Sequence, residues 1–138
     1  MGLDFLERIS PDLYQLGKEI ERLLFKEPQA VLSKARIFAE KLALLLNEKE
    51  AISEVYEVKQ VDRVRKLQRK GIIEEEQQRT FDWVRREGNK AAYEASYGTV
   101  EQAIVAHRHL YDLAGWYLAE GKVFWGGHPL GIKHPLQP

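Results

Sequence analysis

Apolar residues recur every three or four positions through most of this chain, which is the spacing of amphipathic α-helices. The first such face follows Ser10 and Pro11. Ser10 is a good N-cap, and a proline at the next position loses no helical hydrogen bond. The pattern predicts a helix from Pro11 onward, with a short helical turn over residues 3–9 before it. Its apolar positions are Leu13, Leu16, Ile20, Leu23 and Leu24.

A second helix is predicted to begin near Pro28 and to lead into a connection over residues 48–53. Its apolar residues fall at helical spacing, and further apolar neighbours widen the apolar face that they form. This makes it the most hydrophobic of the predicted helices. We therefore expect it to lie at the centre of the domain. The positions at helical spacing are Val31, Leu32, Ala35, Phe38, Leu42 and Leu45.

Two more helices are predicted on either side of Gly71. The first covers about residues 54–70 and ends where Gly71 can adopt the left-handed conformation. Its expected inner edge is Val55, Val58, Val61, Val64 and Leu67. The next helix begins with the acidic run Glu74–Glu76, which suits the positive end of a helix dipole. Its expected inward residues are Phe81, Val84, Ala91 and Ala92.

The last helix is predicted after a break at Gly98 and runs to about Glu120. Thr99 and Gln102 are spaced as a capping box at its start. No window has the alternation of a strand, and no proline interrupts residues 29–128. The chain is therefore expected to be all-α: a bundle of four to five helices over residues 1–121, with a Gly/Pro-rich tail or linker over 122–138.

Composition narrows the function without identifying it. The 138 residues carry 21 basic and 21 acidic side chains, so the formal net charge is zero and no protein-wide nucleic-acid surface is indicated. The absence of cysteine excludes disulfides, thiolate nucleophiles and sulfur-ligated zinc. No apolar run approaches the roughly 20 residues of a membrane span, and the N-terminus lacks the basic start of a signal peptide. We expect a cytoplasmic protein that does not associate with membranes.

Metal and cofactor sites are not indicated. His107 and His109 are two residues apart, so a helix directs them to different faces, and His128 and His134 lie in the tail. No metal-ligand pair, glycine-rich phosphate loop or nucleophile elbow is present. We therefore predict no metal and no cofactor.

A basic run follows residue 58. It contains one acid, Asp62, among its cations Lys59, Arg63, Arg65, Lys66, Arg69 and Lys70. Such a helix face could contact phosphates by charge. Charge runs are more often solvated faces, and Glu74–Glu76 follow nearby. We expect nucleic-acid binding here to be weak and salt-sensitive.

The segment from Phe81 to Tyr93 is unusual for a helix. Gly88 lies within the helical pattern, where it costs about 1 kcal/mol relative to alanine. Arg86, Asn89 and Tyr93 are three and four residues apart and so form one stripe. One interpretation is a close helix crossing at Gly88, with Arg86 and Asn89 bonded to a neighbouring loop. The other is a polar functional site on this helix.

Residues 85–93, RREGNKAAY, resemble the signature Arg-x-x-Gly-Asn-x-Ala-x-His. That signature belongs to a helical domain of unknown function at the N-terminus of type I restriction enzyme R subunits and related helicases. The opening FLERISPDLYQLGKEIERLLFKEP, the helix VLSKARIFAEKLALLL, the turn LQRKGII and the ending LAGWYLAEG are also similar to that family. Together they cover about residues 4–120.

The family looks related to the HEPN domains, which form dimers and include many ribonucleases with an Arg-(four to six residues)-His motif. By this resemblance Arg85 matches the family arginine, Gly88 and Asn89 match its glycine and asparagine, and Arg86 has the six-residue spacing to Tyr93. Tyr93 stands where the family has histidine. An unperturbed tyrosine has a pKa of about 10, so it is a poor proton carrier near neutral pH.

The resemblance implies an accessory interaction domain of a prokaryotic restriction or helicase-type defence protein. Arg86, Asn89 and Tyr93 would then shape a contact surface, with a homodimer or another protein domain as partner. The alternative is a HEPN-type ribonuclease or toxin acting on RNA, with Arg85, Arg86, Asn89 and Tyr93 in its site. A third alternative is a nucleic-acid-binding helper that uses the basic run.

Overall fold

The computed structural model describes residues 2–120, and the predicted tail at 122–138 lies outside this range. Five α-helices follow a 3₁₀ turn at Asp4–Arg8, and residues 2–120 contain no strand, which confirms the predicted all-α class. No helix in this range is long and apolar enough to cross a membrane. The helices are α1 (Pro11–Leu23), α2 (Pro28–Lys49), α3 (Gln60–Arg69), α4 (Glu75–Tyr93) and α5 (Val100–Glu120).

The central helix is α2, as its pattern predicts. It packs against α1, α3, α4 and α5, and its contacts with α4 are the most extensive between any two helices of residues 2–120. The side chains of Phe38, Leu42 and Leu46 are fully buried along it. Two helices start as their sequences indicate: Ser10 Oγ accepts a hydrogen bond from Leu13 N–H, and Thr99 and Gln102 close a capping box. Glu74 and Gln77 close a second capping box, so Glu74 is the N-cap of α4 rather than part of its first turn.

The prediction for α3 is wrong at its start. The helix begins at Gln60 rather than at 54, and Val55 is 87% exposed instead of facing the core. Of the five residues expected on its inner edge, only Val64 and Leu67 are buried. Valines at helical spacing suggest a helix, but residues 54–58 are irregular, with a bend at Val55 and Tyr56, and the side chain of Arg63 bonds both Glu54 and Val58.

The end of α2 also differs from the prediction, because the helix continues to Lys49. Ala51 then adopts a left-handed conformation with φ of 54°. Ile52 N–H donates to Asn47 O, and Ala51 N–H donates to Glu48 O, which is the Schellman arrangement. Gly71, with φ of 75°, ends α3 in the same way, as expected. The sequence indicates only the second of these ends, since glycine marks it and alanine does not.

A buried polar pair joins the first and last helices. His107 of α5 is fully buried, and its Nε2 lies 2.7 Å from Oε2 of Glu21 in α1. The same oxygen accepts a hydrogen bond from Leu3 N–H at 3.3 Å, so the segment before α1 is bound to this point as well. Because polar groups buried in a core must be hydrogen-bonded, the pair fixes how α1 and α5 align.

We expect Glu21→Ala to destabilise the fold by on the order of 3 kcal/mol, because it removes a bonded carboxylate from beside a buried histidine. Urea unfolding followed by circular dichroism measures this. Glu19→Ala is the matched control on the same helix: Glu19 pairs with Lys34 at 3.5 Å on the surface, and its loss should cost less than about 1 kcal/mol. Equal losses for the two variants would contradict a special role for the buried pair.

Candidate functional site

The crossing of α2 and α4 is centred on Gly88. A Cβ atom at this position would lie 2.5 Å from Arg36 Cβ and 3.0 Å from the carbonyl oxygen of Leu32. Both distances are shorter than van der Waals contact, so residue 88 has room only for hydrogen. The close helix crossing predicted from the sequence is therefore present, and α2 is the helix that approaches.

Asn89 is bonded to the neighbouring helix α2. Its Oδ1 accepts a hydrogen bond from Nη1 of Arg36 at 3.3 Å, on the same side of α4 as the crossing. The expectation that Asn89 and Arg86 bond a neighbouring loop is thus wrong: Asn89 bonds a helix, and Arg86 is exposed with no polar partner among residues 2–120. Asn89 supports the crossing that Gly88 permits.

The end of α4 is capped from α2. Gln29 Nε2 donates to the carbonyl oxygens of Ala91, at 2.8 Å, and Glu94, at 2.9 Å. These are carbonyl groups that a helix end leaves without an intrahelical donor. Ala91 is buried, whereas Ala92, predicted to face inward, is exposed. The sequence does not reveal this cap, because its donor and acceptors are more than 60 residues apart.

A polar network fixes the turn between α4 and α5. Tyr97 Oη donates to Oε1 of Glu87 at 2.8 Å, and Gln102 Nε2 donates to the same oxygen at 3.2 Å. The bond to Glu87 raises the pKa of Tyr97. A shallow groove of about 580 Å³ adjoins this turn, and its lining includes Gln29, Ala92 and Tyr97. The network binds the start of α5 to the segment that carries the signature.

The remaining signature residues do not converge on one cleft. Arg85 is partly buried and pairs with Asp82 at 3.7 Å. Arg86 is exposed, and Tyr93 is 86% exposed at the last turn of α4. Tyr93 is seven positions after Arg86, so both lie on the outer side of α4, about 10 Å apart along its axis. Of the predicted stripe, Arg86 and Tyr93 face solvent, while Asn89 bonds Arg36.

The basic run divides into one buried and five exposed cations. Arg63 is buried, and its guanidinium forms a two-pronged ion pair with Glu54, with Nε to Oε2 at 2.6 Å and Nη2 to Oε1 at 2.9 Å. It also donates to Gln60 and to the carbonyl of Val58. Arg63 is therefore a structural residue inside the bundle. The exposed cations are Lys59, Arg65, Lys66, Arg69 and Lys70.

The two histidines of α5 occupy packed positions. His107 is the core residue paired with Glu21, and the ring of His109 meets that of Trp83 edge-on, with centroids 4.9 Å apart. Burial, with a further contribution from Arg108, lowers the pKa of His109. Among residues 2–120, no three His, Asp or Glu side chains are grouped as metal ligands. His128 and His134 lie outside the described residues.

Comparisons of this chain with protein-family models, with curated proteins and with solved structures find no match. The resemblance of residues 85–93 to the restriction-enzyme domain therefore stays a prediction from the sequence. The site is defined by its own geometry: a close helix crossing at Gly88, and an outer face of α4 with Arg86 and Tyr93.

We expect Gly88→Ala to destabilise the fold by about 2 kcal/mol, even though alanine is the better helix former, because its methyl group overlaps α2. The measurement is the free energy of unfolding in urea. Gly17→Ala in α1 is the matched control, since its methyl group would meet Cβ and Cδ1 of Leu3 at 3.2 Å, a much milder overlap than the 2.5 Å at Gly88. Its effect should stay within about 1 kcal/mol. A neutral Gly88→Ala would contradict the crossing.

A second prediction concerns pH. The hydrogen bonds from Arg63 hold the pKa of Glu54 below its usual 4.5. A carboxylate with a lowered folded pKa stabilises the fold above its unfolded pKa, and this contribution is lost as the pH falls through the folded pKa. Wild type should therefore exceed Glu54→Gln in stability at neutral pH, and the difference should shrink steadily below pH 4.5. Unfolding curves across this range test it, and a constant difference would refute it.

Proposed function

We propose that this chain is a non-catalytic helical interaction domain, an accessory N-terminal module of a restriction or helicase-type defence protein. The observation that carries the proposal is the outer face of α4, where Tyr93 is 86% exposed in the company of an exposed Arg86. Tyrosine and arginine are the side chains that most often supply binding energy in protein interfaces. Tyr93 offers a large apolar ring and one hydroxyl group, which suits a contact surface.

Two other residues of the signature, Gly88 and Asn89, stabilise the packing of the domain. Gly88 permits the crossing and Asn89 receives Arg36, so both serve the fold of the domain. The histidine position of the related family holds Tyr93. His107 is enclosed in the core beside Glu21, and His109 packs against Trp83, so neither supplies an exposed proton carrier on α4.

The second candidate is a HEPN-type ribonuclease, which one observation favours. Arg86 and Tyr93 have six residues between them, as in the Arg-His motif of those enzymes, and both side chains are open to a substrate. In that case RNA would contact the same outer face. The two functions therefore predict the same residues and differ in whether RNA is cleaved.

We expect the double variant Arg86→Ala with Tyr93→Ala to weaken self-association, or binding to the remainder of the parent protein, by at least about tenfold, since buried interface Tyr and Arg residues each contribute about 2 kcal/mol. Because both side chains are exposed, the free energy of unfolding should change by less than about 0.5 kcal/mol. Sedimentation velocity measures association, and thermal unfolding monitors stability.

The control is Arg79→Ala, on the same helix, which removes an exposed arginine from a surface pair with Glu75. It should leave association unchanged. Wild-type protein should also leave RNA intact. RNA cleavage by wild type that Arg86→Ala or Tyr93→Phe abolishes without unfolding would replace the interaction domain with the ribonuclease. A monomer with no affinity for any domain encoded with it would also contradict the proposal.

A further inference from the structure

The stretch between α2 and α3 carries two exposed side chains, Val55 and Tyr56, between two residues that are hydrogen-bonded to Arg63. Glu54 is bound by Arg63 and by Asn47, whose Nδ2 donates to Oε2 at 2.6 Å. Four residues later, the carbonyl of Val58 accepts from Nη2 of Arg63 at 3.1 Å. Both ends of the stretch are therefore held by one guanidinium. We name Glu54–Val58 the α3 knuckle.

At the tip of the α3 knuckle, Val55 is 87% exposed and Tyr56 is 80% exposed. Ordered loops usually turn such side chains toward the protein, because each gains free energy by leaving water. Here the bonds at Glu54 and Val58 prevent the tip from folding inward. An apolar pair that is both exposed and held in place is typical of a preorganised contact.

Five exposed cations lie on α3 and at its two ends, and Lys59 directly follows the α3 knuckle. Two exposed acids accompany them, Glu57 and Asp62. Within residues 2–120 these cations form no ion pairs, whereas α4 pairs Arg79 with Glu75 and Lys90 with Glu87. Lys66 lines the same small cleft as Val55, Tyr56 and Glu54, so one of these cations adjoins the tip of the α3 knuckle. The five are Lys59, Arg65, Lys66, Arg69 and Lys70.

We propose that the α3 knuckle and the exposed cations of α3 form a binding surface for single-stranded nucleic acid. Tyr56 stacks on an unpaired base, and the lysines and arginines contact the neighbouring phosphates. An aromatic ring beside a basic track is the usual device for single strands, because every base has a face for stacking and every linkage carries a charge. This surface uses no residue of the outer face of α4.

The packing of α3 argues against a membrane as the partner. A helix that lies in a membrane interface turns its apolar face to the lipid. In α3 that face, with Val64 and Leu67, is buried against the rest of the bundle. Of residues 54–70, the exposed large hydrophobic residues are Val55 and Tyr56, which is little apolar area for an anchor. A double helix is also disfavoured, since its bases are not free to stack on Tyr56.

Fluorescence anisotropy of the full chain with labelled oligo-dT and oligo-U of about 12 nucleotides tests the proposal. We expect both strands to bind, with affinity falling about 100-fold between about 50 and about 200 mM salt if all five cations contact phosphates. Tyr56→Ala should weaken binding about tenfold, whereas Tyr56→Phe should keep most of it, because phenylalanine preserves the stacking ring. Arg65→Ala with Arg69→Ala should lower the salt slope by about 1.4.

The controls remove comparable side chains elsewhere: Phe25→Ala removes an exposed aromatic ring and Arg79→Ala an exposed arginine, and neither should change the binding of the oligonucleotides. Circular dichroism confirms that each variant is folded. The DNA strand keeps the result independent of any RNA cleavage by the α4 face. Unchanged binding in Tyr56→Ala, stronger binding to duplex than to single strands, or equal binding to phosphatidylserine vesicles would each overturn the proposal. None of these outcomes would bear on the proposed interaction role of Arg86 and Tyr93, which are on a different helix.

Discussion

The hydrogen atom that serves as the side chain of Gly88 sets the distance between the two helices around which this domain is built. Because α2 contacts every other helix, its position against α4 also limits where the rest can pack. The short approach brings Arg36 within reach of Asn89, and Gln29 within reach of the end of α4. The same approach leaves the opposite side of α4 to solvent, where Arg86 and Tyr93 are found.

Arg63 belongs to the basic run by sequence, but it is buried and does not contribute to the charged surface. Its guanidinium satisfies Glu54, Gln60 and the carbonyl of Val58, so its own charge is neutralised inside the structure. The cations that remain outside are those that could meet a partner. The basic run therefore contains two kinds of residue: Arg63, which stabilises the fold, and the exposed lysines and arginines, which are charged and accessible. The structure distinguishes them by burial, which the sequence alone does not show.

Much of this fold follows from local sequence, and the exceptions have a common cause. Ser10, Gly71 and the Thr99–Gln102 pair act on neighbours a few residues away, so the chain itself indicates those helix ends. Gly88 likewise signals a close crossing, though not which helix approaches. The buried pair of Glu21 and His107, 86 residues apart, has no local pattern. The exposed stretch before α3 has valines at helical spacing, and a side chain nine residues beyond Glu54 overrides them.

The cap that Gln29 places on α4 joins the start of one helix to the end of another more than 60 residues away. The carbonyl of Ala91 receives this donor only when α2 is docked, whereas the carbonyl of Glu94 also accepts from Tyr97 N–H at 3.4 Å. In the native state, separation of the first turn of α2 removes both bonds at once. We therefore expect the two helix ends to open together rather than as independent frayed termini.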